Sequence, residues 1–445
     1  MFNRLCVSLA LLIAVPGWSQ VVPAATGPAE NPDDEYRMQM PAMVSGKAFP
    51  TTTGLDEKSN YLNAGLTFEP SYDDNLLPSF GATPVSGMAY SINPSFEFDQ
   101  LTPRLHQTWA YNPGFTIYPG LGARNEQDQT ASLSIEYRLS RHMTISGQDA
   151  MQKSSNVFNL GDSQLGGSVS GDSPSSPADI LVPFADRLSN AVNLELSYQF
   201  SRDQMVGAGG SYSIMDYLNQ AQSSALYNSN SRGGSAFYSR RLFGTQYVGV
   251  TYQYQRYLGY PAGGELEVQT HTLFPFYTLS LKNGLSLSLA AGPQYFDLAL
   301  PPLPAASTWT PAVVASAARQ GVRTNLAASY TRSVSGAGGL LGAFSASSAN
   351  VSVSWKLAGS WSLASTADYT LRKNVSPASI STEPGGHSVS GTFSIQRSLG
   401  EHMQGTLGYQ RLHQEFSAIA AIAGDPDSDR AYISISYTLS RPMGR

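Results

Sequence analysis

The stretch "AYISISYTLSRPMGR" (431–445) ends the chain, and in it Ile433, Ile435, Tyr437 and Leu439 alternate with Ser434, Ser436, Thr438 and Ser440. Successive side chains of a strand point to opposite faces, so the pattern describes a ribbon with one apolar and one hydroxylated side. The apolar side needs a cover. In a soluble sandwich the cover is a second sheet, and in a membrane barrel it is lipid.

The alternation recurs from Asn60 onward. It is plain in "ASLSIEYRLS" (131–140), "VNLELSYQFS" (192–201) and "VSVSWKL" (351–357). The connections alternate as well. Tight turns such as "LSRH" (139–142), "FSRD" (200–203), "LKNG" (281–284), "LAGS" (357–360) and "SLGE" (398–401) are each followed, one hairpin later, by a long loop: 154–187, 218–231, 298–307, 374–385 or 415–429. Outer-membrane barrels have this asymmetry, with short periplasmic turns and longer outer loops, and a sandwich has no reason for it. Strands laid between the turns number about eighteen, from 61–70 through 232–241 and 347–357 to 430–440; one hairpin split in error would make sixteen. The fold class is therefore all-β, an antiparallel transmembrane β-barrel.

The segments before the barrel differ in kind. "MFNRLCVSLALLIAVPGWSQ" (1–20) has Arg4, an apolar run from Leu5 to Val15, and small residues Gly17 and Ser19 after a break. That is the layout of a secretory signal, with cleavage expected after Ser19. Residues 20–60, rich in Pro, Ala and acids, read as a flexible periplasmic tail. The barrel is assigned to 61–440, and 441–445 to a periplasmic C-terminal tail. The location that follows is the outer membrane.

The single cysteine, Cys6, lies inside the signal, so disulfides and thiolate sites are not expected in the exported protein. With a formal net charge of −5 and no basic block, the chain offers nothing to neutralise phosphates, and no nucleic-acid partner is expected. "GDSQLGG" (161–167) places Ser163 as an esterase nucleophile would be placed, but no base or α/β scaffold surrounds it. Asp425, Asp427 and Asp429 have alternate carboxylates without the Gly and Glu of a calcium loop. The histidines, His106, His142, His271, His387, His402 and His413, show no zinc-ligand spacing. No catalytic residue, metal or cofactor is expected, and the chain reads as a non-enzyme.

Tyr137, Tyr198, Tyr252, Tyr330, Tyr369, Tyr409 and Tyr437 fall on the apolar rows, as aromatic girdles at lipid headgroups require. The opposite rows, assigned to the lumen, are mostly Ser, Thr, Gln and Asn, with Glu136, Arg138, Glu195, Lys356, Asp368 and Arg372 as sparse charges of both signs. No single-sign field is expected from them.

With the terminal strand, "SYTRSVSGAGGLLGAF" (329–344) and "SWSLASTADYTLRKN" (360–374) resemble an uncharacterised family of bacterial outer-membrane β-barrel proteins, over about the C-terminal third. The resemblance implies a fold and a location, not an activity. Ile433, Ile435, Tyr437 and Leu439 also resemble the signal by which barrel assembly machinery recognises its clients, except that the chain runs past Tyr437 where that signal ends on an aromatic residue. The partners implied are outer-membrane lipid and that machinery.

The leading functional reading is a porin-like passive channel for small, largely uncharged polar solutes, with loop 154–187 as its constriction. The alternatives are a barrel exporting an envelope polysaccharide or serving a structural role, with 20–60 engaging a periplasmic partner, and a membrane-embedded hydrolase, for which a catalytic set is wanting. Oligomeric state is not legible in the sequence.

Overall fold

The computed structural model describes residues 60–76, 85–120, 125–154, 187–218, 227–243, 245–261, 264–281, 284–301, 304–337, 340–357, 359–376, 385–416 and 427–443. The expected signal (1–19), all but residue 60 of the expected tail (20–60), residues 155–186 of loop 154–187, and Asp425 lie outside them. Eighteen strands are present: β1 (Tyr61–Asp73), β2 (Gly87–Leu101), β3 (Leu105–Ile117), β4 (Glu126–Arg138), β5 (Met143–Ser154), β6 (Arg187–Ser201), β7 (Gln204–Tyr217), β8 (Ser229–Phe243), β9 (Gln246–Gly259), β10 (Leu266–Ser280), β11 (Leu285–Ala299), β12 (Ala306–Gln320), β13 (Thr324–Ala337), β14 (Leu340–Lys356), β15 (Trp361–Asn374), β16 (Gly385–Ser398), β17 (Met403–Phe416) and β18 (Ser428–Pro442).

Each strand pairs antiparallel with its neighbours in sequence, and β1 pairs with β18, so the sheet closes on itself. Closure satisfies the hydrogen-bonding edges that would otherwise face lipid. The closing seam sets Ala64 opposite Leu439, Leu66 opposite Tyr437 and Phe68 opposite Ile435. All but Ala64 of these belong to the large apolar side chains left exposed on the outside, together with Phe96, Trp109, Leu194, Leu289, Val351 and Leu407. On the same terminal strand the inward residues Ser428, Arg430, Tyr432 and Ser434 are buried. An apolar outside on a closed β-cylinder is stable only against hydrocarbon.

Of the tyrosines expected in girdles, Tyr137, Tyr198 and Tyr437 face outward near the short-turn rim, which is periplasmic in an outer-membrane barrel. Tyr252 and Tyr330 also face outward, but at mid-strand.

Several boundaries differ from the sequence-based expectation by two or three residues, as at the end of β1 and both ends of β8, and one by more. The terminal strand continues through Arg441, which pairs with Leu62, to Pro442, two residues beyond the expected end of the barrel. Strand β14 begins at Leu340 rather than near 347.

Prolines interrupt the ladders because they donate no N–H. Between β10 and β11 the pairing jumps from Thr272 with Gln294 to Phe276 with Ala290, across Pro275 and Pro293. The strands crowd together at this break: a Cβ on Gly292 would stand 1.8 Å from the carbonyl oxygen of Leu273. Only glycine fits there.

The interior corrects one expectation. The inward row of β10 is Leu266, Val268, Thr270, Thr272, Phe274 and Phe276, all buried. The inner wall is therefore polar on part of the circumference and apolar along β10 and its neighbours, where Phe274, Phe276, Ala290 and Ala312 form one cluster.

Candidate functional site: the barrel interior

The outer ends of β10 and β11 invert the alternation seen on the terminal strand. Their inward residues Leu266, Val268, Phe296 and Leu298 are apolar, while Glu267, Gln269 and Asp297 stand in the outward rows. Apolar side chains turned into a wide barrel need something inside to cover them. The end of the β13–β14 hairpin supplies it.

Strand β13 pairs with β12 from Asn325 to Arg332 and no further. Beyond Arg332 it leaves the wall. Gln294, in the inward row of β11, donates from Nε2 to the Val334 carbonyl at 3.1 Å and accepts from the Val334 amide at 2.7 Å. The side chain of Gln294 thus replaces the β12 backbone as the partner of Val334. Val334 and Ala343 continue the rows that face outward lower down at Tyr330 and Val351, yet here they are buried with Tyr227, Tyr257, Leu266, Val268, Phe296 and Leu298. Here Val334 and Ala343 pack on the inner surface of β10 and β11, reached by passing behind β12.

The local sequence permits the bend. The ladder between β13 and β14 shifts register at Gly336 and Ala337, and Gly342 has φ of 118°, a conformation other residues rarely adopt. The hairpin also carries small residues, Ala343, Ala346 and Ser345, where a lipid-facing strand would carry large ones. Phe344, beside them, is fully buried.

The remaining inner wall is polar, with one buried ion pair and several carboxylates held by neutral donors. Arg430 of β18 holds Glu69 of β1 at 2.8 Å, both buried. Ser428 donates to Asp73 at 2.7 Å, Ser154 to Asp128 at 2.6 Å, and Asn350 to Asp368 at 2.5 Å. At the outer end of β3, Tyr118 donates to Glu126 at 3.0 Å. Burial, with the Glu126 charge alongside, pushes the Tyr118 phenol well above its ordinary value, so it remains a neutral donor.

The six charges read from sequence as lumenal stand in inward rows but do not converge. Glu136 and Arg138 lie at the periplasmic end of β4, 3.7 Å apart, and Lys356 ends β14 on the same rim. Glu195 and Arg372 are buried in β6 and β15, and Asp368 is held by Asn350. Ile433, Ile435, Tyr437 and Leu439, read as an assembly signal, face outward on the closing strand. Gln294 and Val334 belong to no sequence motif. The signal that exposes them is the inverted alternation at Leu266, Val268, Phe296 and Leu298.

A closed β-cylinder, apolar outside and largely polar within, decides the class. The chain is a transmembrane barrel of the outer-membrane type. No family model matches the chain, and no curated protein matches it. Solved structures are similar in fold. The FrpB iron transporter of Neisseria meningitidis (F5-1 variant) has 10% identity and a TM-score of 0.43, over 87% of this chain and 70% of its own. Pseudomonas aeruginosa OccK2 (OpdF) has 9% identity and a TM-score of 0.41, over 86% and 98%. OpdL of the same organism has 10% identity and a TM-score of 0.38, over 85% and 98%.

Proposed function

We propose that the barrel is a passive, porin-like channel for small, largely uncharged polar solutes, narrowed in its outer half by the inserted end of the β13–β14 hairpin. The observation that carries this reading is a largely hydroxyl- and amide-bearing inner wall in which the buried Arg430 is paired with Glu69. A wall of hydroxyls and amides offers hydrogen bonds to a passing solute, and the Glu69–Arg430 pair adds no net charge to it. An eighteen-stranded barrel is wide enough to hold water unless something fills it. Val334 and Ala343 of the hairpin lie on the side where the wall is apolar.

In this reading the barrel works without a catalytic residue. Residues 1–19 would direct export, and the outward row of Ile433, Ile435, Tyr437 and Leu439 would be read by the assembly machinery on the way to the outer membrane.

The test is swelling of liposomes carrying the folded barrel, in neutral sugars of increasing size and in charged solutes of matched size. Swelling in the smallest neutral sugars that falls with size, and weak discrimination by charge, is the expected result. Exclusion of every neutral solute would refute the channel, and strong preference for one charge sign would refute the solute class.

A further inference from the structure

We propose that His387, His413 and Glu415 form a binding site for a divalent transition-metal ion, of which zinc is the type, on the outside of the barrel at its outer rim. The site stands apart from the pore and does not depend on the channel reading.

The register of β16 and β17 assembles it. His387 is directly opposite Glu415, and His413 is one ladder step away, opposite Val389. All three side chains share the outward rows of Val389, Phe393, Leu407 and Tyr409. The two imidazole rings lie 5.2 Å apart between centroids. One ligand atom from each of the three residues can be chosen so that all lie within 4.8 Å of one another, near enough for small rotations to close on one ion. The histidine side chains are 31% exposed, so the site is open to solute.

A fourth residue prepares the site. Asp427, at the start of β18, lies 2.5 Å from Nδ1 of His413. A carboxylate there holds the proton on Nδ1 and leaves the Nε2 lone pair for a metal, the arrangement by which metal-bound histidines are oriented. The nearby guanidinium of Arg411 is engaged by Asp429 at 2.8 Å, so its charge is neutralised and does not oppose a cation. Two imidazoles and one carboxylate are the ligand types of zinc, nickel or copper, whereas magnesium and calcium favour oxygen throughout. The residues are far apart in sequence and come from two strands, so no spacing motif announces them.

Binding would tie the outer end of β16 to that of β17, with Asp427 drawing in β18. A ligand held only by the folded barrel stabilises it through mass action.

The experiment is isothermal titration of the detergent-solubilised barrel, purified without a histidine tag, with zinc chloride. Saturable binding of one zinc per chain, unaffected by excess magnesium, is expected. Affinity should fall by about tenfold or more in Asp427→Asn, as for other residues that orient metal-bound histidines, and be lost in His387→Ala and His413→Ala. Unchanged zinc affinity in the two histidine variants overturns the proposal. Should either variant fail to fold, cobalt added to the unaltered barrel decides instead: an intense visible absorption marks a low-coordinate protein site, and only the weak spectrum of hydrated cobalt would overturn it.

Discussion

Phe68 of β1 stands directly across the closing seam from Ile435 of β18, and both face outward. Their neighbour Tyr90 of β2 stacks on Phe68, with ring centroids 6.5 Å apart. The row belongs in hydrocarbon. A lysine on the lipid face costs about 2–4 kcal/mol at mid-depth, so Ile435→Lys should impair assembly. Ser436→Lys, one residue along and pointing inward beside Thr67, should assemble. The heat-dependent shift in electrophoretic mobility that marks a folded barrel distinguishes them: Ile435→Lys loses it and Ser436→Lys keeps it.

Gly292 admits no side chain. With the Leu273 carbonyl 1.8 Å from where a Cβ would lie, Gly292→Val must push β10 and β11 apart. Overpacking of this kind costs about 1–3 kcal/mol or more. The variant should unfold at clearly lower temperature than the unaltered barrel, whereas Gly210→Ala, whose Cβ would come no nearer than 3.8 Å to the Gly233 carbonyl oxygen, should not.

Arg430 and Glu69 form the buried ion pair that helps close the inside of the same seam. Truncating one member of such a pair costs about 3–5 kcal/mol, because the other charge stays buried. Arg430→Ala should therefore destabilise the barrel more than the double change Arg430→Met with Glu69→Gln, which removes both charges. Thermal unfolding of the three proteins provides the comparison, and equal melting temperatures for the two variants would exclude a charge penalty.

What the sequence reveals follows from the range of the forces involved. The strands are legible because lipid and water impose a period of two on every one of them, as Ile433 to Leu439 illustrate. The start of β14 is not legible: Ala343, Phe344 and Ala346 are all buried, so successive residues there carry no alternation of lipid and water faces. The sequence points to loop 154–187 as the constriction, and residues 155–186 of it lie outside the described residues. The inward packing among the described residues is that of β13 and β14, held by Gln294 some 40 positions before Val334. Pairings of that separation leave only one local trace, the inward apolar row on β10 and β11. The histidine cluster escaped for a related reason, since ladder register and not spacing unites His387 with His413.

The central claim is that the β13–β14 end, latched by Gln294, narrows a conducting pore. Single-channel recording of the barrel in planar bilayers tests it most directly, comparing the unaltered chain with Gln294→Ala and Val334→Asp. Losing the amide leaves the buried Val334 backbone groups unsatisfied, at about 1–3 kcal/mol. A carboxylate at 334 opposes burial against Leu266 and Phe296 still more strongly. The expected result is small, weakly ion-selective steps for the unaltered barrel, and larger steps or frequent openings to a larger level in both variants. Identical conductance in all three folded proteins, or silence in all three, would contradict it.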